Sequence, residues 1–446
     1  MKVVSTSECD RTKLVEGIKR RLNTFEGTFV QDADAEPATK IFGEKLSPID
    51  FVRRILADVK ERGDDAVLFY SCALDGTSFT RDELSVSEDE IEDAYNRVDK
   101  SLLKALGKAR DNIIAFQNHI KIDAPDILST NGTSLELLYK PVEKVGIYVP
   151  GGKASYPSTV LMCAVPAHVA GVNKVVMCTP PRKDGMVSPE RLVAAREAGV
   201  TDIYKIGGVQ AIAALAFGTD TVPRVDKIVG PGNVFVTLAK KEVYGYVDID
   251  MLAGPSEVVI LADEGGDAAL IASDLLSQAE HPGAAILVTP SRRLAEDVQV
   301  EINKQLGGLP SRDLAEESLQ GLGIMVVTRN IEEAVEIANS IAPEHIALHL
   351  KNPGAVLPRL RHAGTVFLGS FSPVAVGDYI AGPSHVLPTG GTARFFSGLT
   401  VNDFLRRLSV ISYSREALSE VAPEVVAMAE AEGLPAHAQS VRMRFK

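Results

Sequence analysis

KVGIYV (144–149) is the first of four short apolar stretches, which continue with NKVVMC (173–178), DIYKIG (202–207) and VDKIVG (225–230). Helical stretches such as TVLMCAVPAHVAGV separate them. Strands that are apolar on both faces and alternate with helices are typical of a parallel sheet covered by helices on both sides. The sequence therefore predicts a Rossmann-like α/β unit over residues 141–255.

The alternation of apolar strand and helix starts again after this unit, so we expect a second Rossmann-like α/β unit over residues 256–398. It ends in GDYIAGPSHVLPTGGTARFFSG (377–398), which is rich in glycine and proline and has no clear periodicity. A loop of that length inside a compact protein is usually functional. The strands predicted for the second unit are EVVILAD (257–263), AAILVT (284–289), GIMVVT (323–328), IALHL (346–350) and GTVFLG (364–369).

Two further segments flank these units. Residues 1–140 have apolar residues at helical spacing, as in SPIDFVRRILADVKERGDDAVLFYSCALDG (47–76), which opens with a capping serine. We expect this amino-terminal helical segment to be a structural arm that packs on the second α/β unit. Residues 399–446 are predicted to form a small helical tail, whose last residues could instead form a strand.

The composition limits the classes of function. The chain has 446 residues, with 47 Lys and Arg against 59 Asp and Glu, so its formal net charge is −12. An acidic chain repels phosphate backbones, which argues against nucleic acid as its main partner. No apolar run approaches the roughly 18 residues of a membrane span, and the amino terminus lacks the apolar core of a secretory signal. The four cysteines form no CxxC motif, so we expect reduced thiols and a cytoplasmic location.

Two glycine-led helix starts lie in the first unit. Gly230 and Gly232 imitate the opening of the dinucleotide fingerprint, in which glycines let backbone N–H groups approach a pyrophosphate. Phe235 stands where the third glycine belongs, so the fingerprint is incomplete. The second start, GGVQAIAALAFG (207–218), has the same ambiguity. Either stretch could contact phosphate or simply form a tight turn between a strand and a helix.

The adjacent pair Glu344 and His345 is a candidate catalytic centre. Pro343 stops the preceding helix and IALHL begins a strand, so the pair lies at a helix-to-strand turn. A carboxylate beside an imidazole provides two bases with different pKa values, which suits stepwise proton transfer near neutral pH. The alternative is a solvated pair on a loop.

Candidate metal ligands are scattered along the chain. Gln278 and His281 share one face at the end of a helix, although this could also be an ordinary surface helix end. Together with Asp378 and His437 they offer the nitrogen and oxygen donors that a borderline divalent ion accepts. Cys163 lies within an apolar helical run with no adjacent base, so an inert buried thiol is favoured over a catalytic one.

Eight long stretches stand in an order that is far more specific than any single glycine pattern. They are VGIYVPGGKASYPSTVLM, GGVQAIAALAFGT, VDKIVGPGNVFVT, DIDMLAGPSEV, DLLSQAEH, APEH, GTVFLGSFSPVAVGDYIAGPSHVLPTGGTARFFSGL and EGLPAH. On these stretches the chain resembles the histidinol dehydrogenase family, from about residue 40 to its end.

The resemblance implies an enzyme that oxidises L-histidinol through L-histidinal to L-histidine, the last step of histidine biosynthesis, and reduces two NAD molecules in succession. It also implies one zinc ion per subunit, which anchors the substrate. By resemblance, the zinc ligands are Gln278, His281, Asp378 and His437. The same four residues would contact the substrate together with Ser256, His345 and Glu432, and His385 is a further candidate.

The resemblance also assigns roles to individual residues. His345 would be the general base that takes the hydroxyl proton, and Glu344 would activate water. Tyr148, Gln210 and Asn233 match the NAD contacts of the family, and all three lie in the first α/β unit. This agrees with the independent expectation of a nucleotide there.

In the family the carboxy-terminal tail reaches into the partner subunit. The resemblance therefore implies a homodimer in which Glu432 and His437 serve the partner's active site, with residues 399–446 as a dimerisation tail. Two alternatives differ in class. One is a related zinc- and NAD-dependent dehydrogenase of another small primary alcohol, such as a sulfonated diol, although the carboxylate of Glu432 would repel an anionic substrate. The other is a catalytically silent metal-binding or scaffolding protein.

Overall fold

The amino-terminal part of the chain contributes to two different layers of the fold. The computed structural model describes residues 1–23, 36–152, 154–281 and 283–446. Asp10 begins the first helix by accepting hydrogen bonds from the N–H groups of Thr12 and Lys13. The elements of this part are β1 (Lys2–Ser5), α1 (Arg11–Leu22), α2 (Glu36–Phe42), α3 (Pro48–Arg62), α4 (Asp64–Tyr70), α5 (Glu88–Arg97), α6 (Lys100–Ile120), β2 (Leu128–Thr130) and β3 (Thr133–Pro141).

The first α/β unit is a five-stranded parallel sheet with helices on both faces. Its strands are β4 (Lys144–Tyr148), β5 (Lys174–Cys178), β6 (Asp202–Tyr204), β7 (Lys227–Val229) and β8 (Asp248–Ile249), and its helices are α7 (Pro157–Ala170), α8 (Pro189–Glu197), α9 (Gly208–Phe217) and α10 (Val234–Val243). The spatial order is β6-β5-β4-β7-β8. Numbered within the unit, this order is 3-2-1-4-5, which is the order of a Rossmann sheet.

The second α/β unit repeats this arrangement. Its strands are β9 (Ser256–Ala262), β10 (Gly283–Thr289), β11 (Ile324–Val327), β12 (His345–His349) and β13 (Thr365–Leu368), and its helices are α11 (Ala268–Ala279), α12 (Arg292–Leu306), α13 (Arg312–Gly321), α14 (Ile331–Ile341), α15 (Pro353–Val356) and α16 (Val374–Tyr379). The spatial order is β1-β11-β10-β9-β12-β13, so the same 3-2-1-4-5 order gains β1 at its edge. The predicted α/β class with parallel sheets is confirmed.

The carboxy-terminal tail contains a long strand as well as helices. It comprises β14 (Leu405–Tyr413), α17 (Arg415–Ala431) and α18 (Pro435–Arg442). Strand β14 pairs antiparallel with β3, which pairs with β2, and these three strands form a small third sheet. Strands β2 and β3 therefore correct the prediction that residues 1–140 are helical throughout.

The expected packing of the amino-terminal segment on the second unit is wrong for residues 48–120. Helix α3 shares one hydrophobic cluster with the first unit, in which Phe51 and Ile55 lie with Ile212 and Leu215 of α9. Helix α9 is apolar around its whole circumference, so it needs a cover on the side away from the sheet, and α3 supplies one. By contrast, β1 and α1 do pack on the second unit, where β1 extends the sheet beside β11.

No helix in the described ranges of the chain is long and apolar enough to cross a membrane.

Candidate active site

Two cavities lie at opposite edges of the two sheets. The larger one, of about 960 Å³, lies at the carboxyl ends of the strands of the first sheet, where Tyr148 ends β4. The smaller one, of about 260 Å³, lies at the amino ends of the strands of the second sheet, where Ser256 begins β9 and His345 begins β12. Residues that follow strands of the first sheet, such as Tyr156 and Pro231, also line the smaller cavity. The carboxyl edge of the first sheet and the amino edge of the second sheet therefore meet at the smaller cavity.

Glu344 and His345 form a buried corner of the smaller cavity, so the solvated-pair alternative is wrong. Helix α14 ends at Ile341 and is capped by Ala342, whose φ of 54° lies in the left-handed region, and Pro343 then directs the chain into β12. Only 6% of Glu344 and 4% of His345 are exposed. His345 Nδ1 lies 3.6 Å from Glu344 Oε2. The two bases therefore lie within reach of one bound molecule.

Both ring nitrogens of His345 are buried and, within the described residues, have no hydrogen-bond partner. Leaving such atoms unpaired is costly, so they mark a place where a bound ligand supplies the partner. Burial lowers the pKa of His345 and raises the pKa of Glu344. The imidazole is therefore neutral at pH 7 and able to accept a proton. Glu344, whose pKa is raised to about 8, becomes a carboxylate as the pH rises through that value, and this carboxylate is a stronger base than an ordinary one.

Three of the four predicted zinc ligands converge on this corner. Gln278 lies in the last turn of α11, His281 follows it, and Asp378 lies in α16. His345 Nε2 lies 3.9 Å from Asp378 Oδ1. Burial raises the pKa of Asp378, and the nearby His345 and His281 partly offset this shift. A carboxylate, an imidazole and an amide that line one cavity fit a borderline divalent ion.

The orientation of Gln278 also fits a metal ligand. Its Nε2 donates a hydrogen bond of 3.0 Å to Ser256 Oγ, so the amide nitrogen is already occupied. The amide oxygen, which is the atom that a cation needs, is left for a ligand. Ser256 lies in the same cavity, as predicted for a substrate contact.

His437 and Glu432 do not reach the cavity within one chain. Both are exposed, at α18 and at the end of α17. Among the described residues, no group of three or more His, Cys, Asp or Glu side chains could hold a metal ion. Three of the four predicted zinc ligands therefore lie at one cavity within a single chain, and His437 does not.

His385 lines the cavity, but both of its ring nitrogens already have partners. Nε2 lies 3.2 Å from Thr159 Oγ1, and Nδ1 lies 2.9 Å from the carbonyl oxygen of Asp378. Burial lowers the pKa of His385 to about 4, so the ring is neutral and Nδ1 donates to that carbonyl. His385 therefore holds the backbone of Asp378.

The predicted NAD contacts all line the larger cavity. Tyr148 Oη accepts a hydrogen bond of 3.1 Å from the N–H of Gly208. Asn233 begins α10, because its Oδ1 accepts a hydrogen bond from the N–H of Val236. Gln210 donates through Nε2 to Asp75 Oδ2 at 3.1 Å, and its buried Oε1 has no partner among the described residues. A volume of about 960 Å³ is at the upper end for small-molecule sites.

The Gly230 loop separates the two cavities. Gly230 has a φ of 110°, and a Cβ there would lie 2.2 Å from the carbonyl oxygen of Tyr148, so only glycine allows this close approach. Lys240 and Asp250 form a buried ion pair beneath the loop. Lys240 Nζ donates to the carbonyl of Gly230, and Asp250 Oδ2 accepts from its N–H at 2.7 Å. Pro231 lines the smaller cavity and Asn233 the larger one.

Two carboxylates at these cavities, the half-buried Asp75 and the fully buried Glu257, were not predicted from the sequence. Asp75 ends a π-helical turn of the amino-terminal segment and enters the larger cavity, where burial raises its pKa to about 6. Nothing in its local sequence indicates this position. Glu257 lies directly after Ser256 in the matching stretch DIDMLAGPSEV, which is the one signal that could have singled it out. Cys163 is fully buried, and burial raises the pKa of its thiol, in agreement with an inert role.

Comparisons with known proteins agree with these features. The family model described as "Histidinol dehydrogenase" matches residues 44–445. The chain belongs to the histidinol dehydrogenase family. It is therefore an NAD-dependent oxidoreductase of a family associated with histidine biosynthesis, and the family generally uses NAD and zinc.

Named members of the family are similar to the chain over most of its length. The histidinol dehydrogenase of Rhodopirellula baltica is 46% identical over 441 residues, which cover 99% of this chain and 95% of that protein. The enzyme of Heliobacterium mobile is 51% identical over 399 residues, which cover 89% and 93%. The crystal structure of histidinol dehydrogenase from Elizabethkingia anophelis matches with a TM-score of 0.89 at 33% identity, over 100% of this chain and 98% of that one.

Proposed function

We propose that this chain oxidises L-histidinol through L-histidinal to L-histidine and passes two hydrides in succession to two NAD molecules. The observation that carries the proposal is the corner at His345. Both of its ring nitrogens are buried without a partner in the described residues, next to Glu344 and within the cavity lined by Gln278, His281 and Asp378. Family membership supports the identity of the alcohol.

His345 is the proton acceptor for the first oxidation. Its neutral imidazole takes the proton of the substrate hydroxyl while a hydride leaves the same carbon for NAD. Hydride departs more readily as the oxygen gains alkoxide character, so proton removal and hydride transfer assist each other. The products of this step are the bound aldehyde, NADH and one proton on His345.

Glu344 starts the second oxidation. Its carboxylate accepts a proton from the water that adds to the aldehyde carbon, and the carbonyl oxygen takes up the proton that His345 gained in the first step, so the gem-diol forms. His345, having released its first proton, then accepts a hydroxyl proton of the gem-diol while the second hydride leaves for a second NAD. No covalent cysteine is required, which agrees with the buried position of Cys163.

Gln278, His281 and Asp378 would hold the zinc ion together with His437 of the partner subunit. When bound, zinc supplies an anchor for the imidazole and amino nitrogens of the substrate. Ser256, which already binds the amide of Gln278, would orient the substrate in the same cavity. Glu432 of the partner subunit would offset the positive charge of the amino alcohol.

The dinucleotide would occupy the larger cavity, with Tyr148, Gln210 and Asn233 as its contacts. The unpartnered Oε1 of Gln210 supports this placement, because a hydroxyl or amide of the dinucleotide would supply the missing donor. Residues 141–255 would then form the NAD-binding unit, and residues 256–398 would carry the catalytic and metal-binding side chains.

A homodimer would complete the site. Glu432 and His437 are exposed and lie outside the cavity of their own chain. The tail also exposes large apolar side chains, including Ile411 on β14 and Met428 on α17, which suits burial against a second copy. We place the enzyme in the cytoplasm, where NAD and the biosynthetic intermediates are available, with no nucleic acid or membrane as a partner.

The test is an NAD-reduction assay with L-histidinol before and after removal of metal by chelation. We expect two molecules of NADH per histidinol consumed, loss of activity on chelation, and recovery when zinc is added back. One NADH per substrate, or a preference for another primary alcohol, would contradict the proposal.

A further inference from the structure

Glu257, the second residue of β9, is a carboxylate with 0% exposure directly beside the proposed catalytic corner. Burying a carboxylate is costly unless hydrogen bonds replace its water. The mechanism above gives Glu257 no part, so its position needs another explanation.

The carboxylate of Glu257 is held by backbone N–H groups from two separate parts of the second unit. Its Oε1 accepts hydrogen bonds from the N–H of Glu344, at 3.1 Å, and from the N–H of Gly390, at 3.0 Å. Its Oε2 lies 3.2 Å from the same N–H of Gly390. One carboxylate thus joins the catalytic corner to the glycine-rich loop.

The contact with Glu344 is reciprocal. The N–H of Glu257 donates a hydrogen bond of 3.1 Å to Glu344 Oε2. The register of β12 on β9 explains this, because His345 pairs with Val258 and Glu344 therefore lies opposite Glu257. Each residue binds the backbone N–H of the other through its carboxylate. Glu344 Oε2 is thereby fixed. The side chain of Ser256, which lines the cavity, forms a further hydrogen bond with the Glu344 carboxylate.

The glycine-rich loop is tied to the same cavity through a neighbouring residue. Thr389 lines the cavity, and its Oγ1 accepts a hydrogen bond of 2.6 Å from the N–H of Gly254. Glu257 therefore fixes the loop on one side of the cavity and Glu344 on the other. Burial, and then the nearby charge of Glu344, raises the pKa of Glu257.

We propose that Glu257 is a positioning residue that orients the Glu344 carboxylate toward the water that adds to the aldehyde. The inference rests on the water-activating role proposed for Glu344. Since oxidation of the alcohol needs His345 but no added water, loss of Glu257 affects the aldehyde step more than the alcohol step.

The test measures the two half-reactions separately, with histidinol and with histidinal as the starting substrate, for Glu257→Gln. An amide keeps the shape of the side chain, but one of its two acceptor oxygens becomes a donor. We expect kcat for histidinal to fall roughly 10-fold and kcat for histidinol to fall less than about 3-fold, with little change in the KM for histidinol. Glu257→Ala should have a larger effect in the same direction.

A double variant separates positioning from a general loss of structure. If Glu257 acts through Glu344, then Glu257→Gln combined with Glu344→Gln is no slower with histidinal than Glu344→Gln alone, because the group being oriented is already absent. Losses that multiply would show that Glu257 acts independently of Glu344, and would overturn the inference.

Glu333→Gln is the matched control. Glu333 is another buried carboxylate of the second unit, but Arg329 and Thr6 bind it, away from the cavity. It should leave the ratio of the two half-reactions unchanged, whatever its effect on the melting temperature. Equal losses in both half-reactions for a folded Glu257→Gln would reduce Glu257 to a structural residue. If Glu344→Gln itself does not slow the aldehyde step selectively, the proposed function is at fault instead.

Discussion

The two α/β units share one strand order but place their cavities at opposite edges. In the first sheet the cavity lies beyond the carboxyl ends of β4 and β5, where ligands of Rossmann sheets usually bind. In the second sheet the cavity lies at the amino ends of β9 and β12, and the side chains come from helix-to-strand turns. The same topology thus supplies a dinucleotide-sized cavity in one unit and a corner of buried bases in the other.

This difference has a physical basis in what each edge offers. The carboxyl edge presents glycine-rich turns and the amino ends of helices, whose N–H groups suit a ligand with phosphates. The amino edge presents the ends of helices and the first residues of strands, where Gln278, Glu344 and His345 lie. These positions suit acid–base chemistry and a cation, because the negative end of a helix dipole favours positive charge.

The largest expected loss of activity comes from a substitution at the corner formed by Glu344 and His345, at the amino edge of the second sheet. His345→Asn removes the proton acceptor of both oxidations, so kcat should fall roughly 10³-fold with histidinol and with histidinal. The KM for NAD should change little, because His345 does not line the larger cavity. Steady-state kinetics with each substrate measure this. A selective loss in one half-reaction would contradict the shared role of His345.

The next effect distinguishes the two members of the corner. Glu344→Gln keeps the shape of the side chain but removes the base for water, so kcat for histidinal should fall roughly 10²-fold and kcat for histidinol less than about 10-fold. Rapid-mixing measurements of NADH formation in each half-reaction test this. Equal losses would mean that the water-activating role belongs elsewhere.

A third prediction tests whether the partner subunit supplies His437 to the smaller cavity. With histidinal as the substrate, Glu344→Ala and His437→Ala should each be nearly inactive as homodimers. After equal mixing and subunit exchange, about half of the dimers are mixed, and each mixed dimer has one intact site, so about a quarter of wild-type activity should return. No recovery after verified exchange would contradict a site shared between subunits.

The smallest expected effect is a change in the KM for NAD, caused by a substitution in the larger cavity at the carboxyl edge of the first sheet. Gln210→Ala removes the amide with the unpartnered oxygen and should raise the KM for NAD roughly 10-fold, with little change in the KM for histidinol. Asp82→Asn, at an exposed turn of the amino-terminal segment, is a control that should alter neither constant. A change in the KM for histidinol alone would contradict the proposal that Gln210 contacts NAD.

Local patterns in the sequence were sufficient for nine strands of the two α/β units, for the helix-to-strand turn at Glu344 and for the strand-to-helix turn at Gly230, but not for β1, β2, β3, β8 and β14. The long-range pairings were not predictable, because they depend on contacts between distant parts of the chain. Strand β14 pairs with β3 across more than 260 residues, and Thr159 reaches His385 across 226. Asp75 enters the larger cavity only because α3 and α4 pack on the first unit, which the apolar pattern of α3 could not specify.

The loop 230–233, which the Lys240–Asp250 ion pair anchors, lies between the two cavities, with Pro231 lining one and Asn233 the other. None of the described residues lines both cavities. In the proposed reaction the nicotinamide would reach past this loop to the substrate carbon, while the residues that hold the dinucleotide differ from those that hold the substrate. A spent dinucleotide could then depart, and a fresh one arrive, without breaking the contacts that keep the aldehyde bound between the two oxidations.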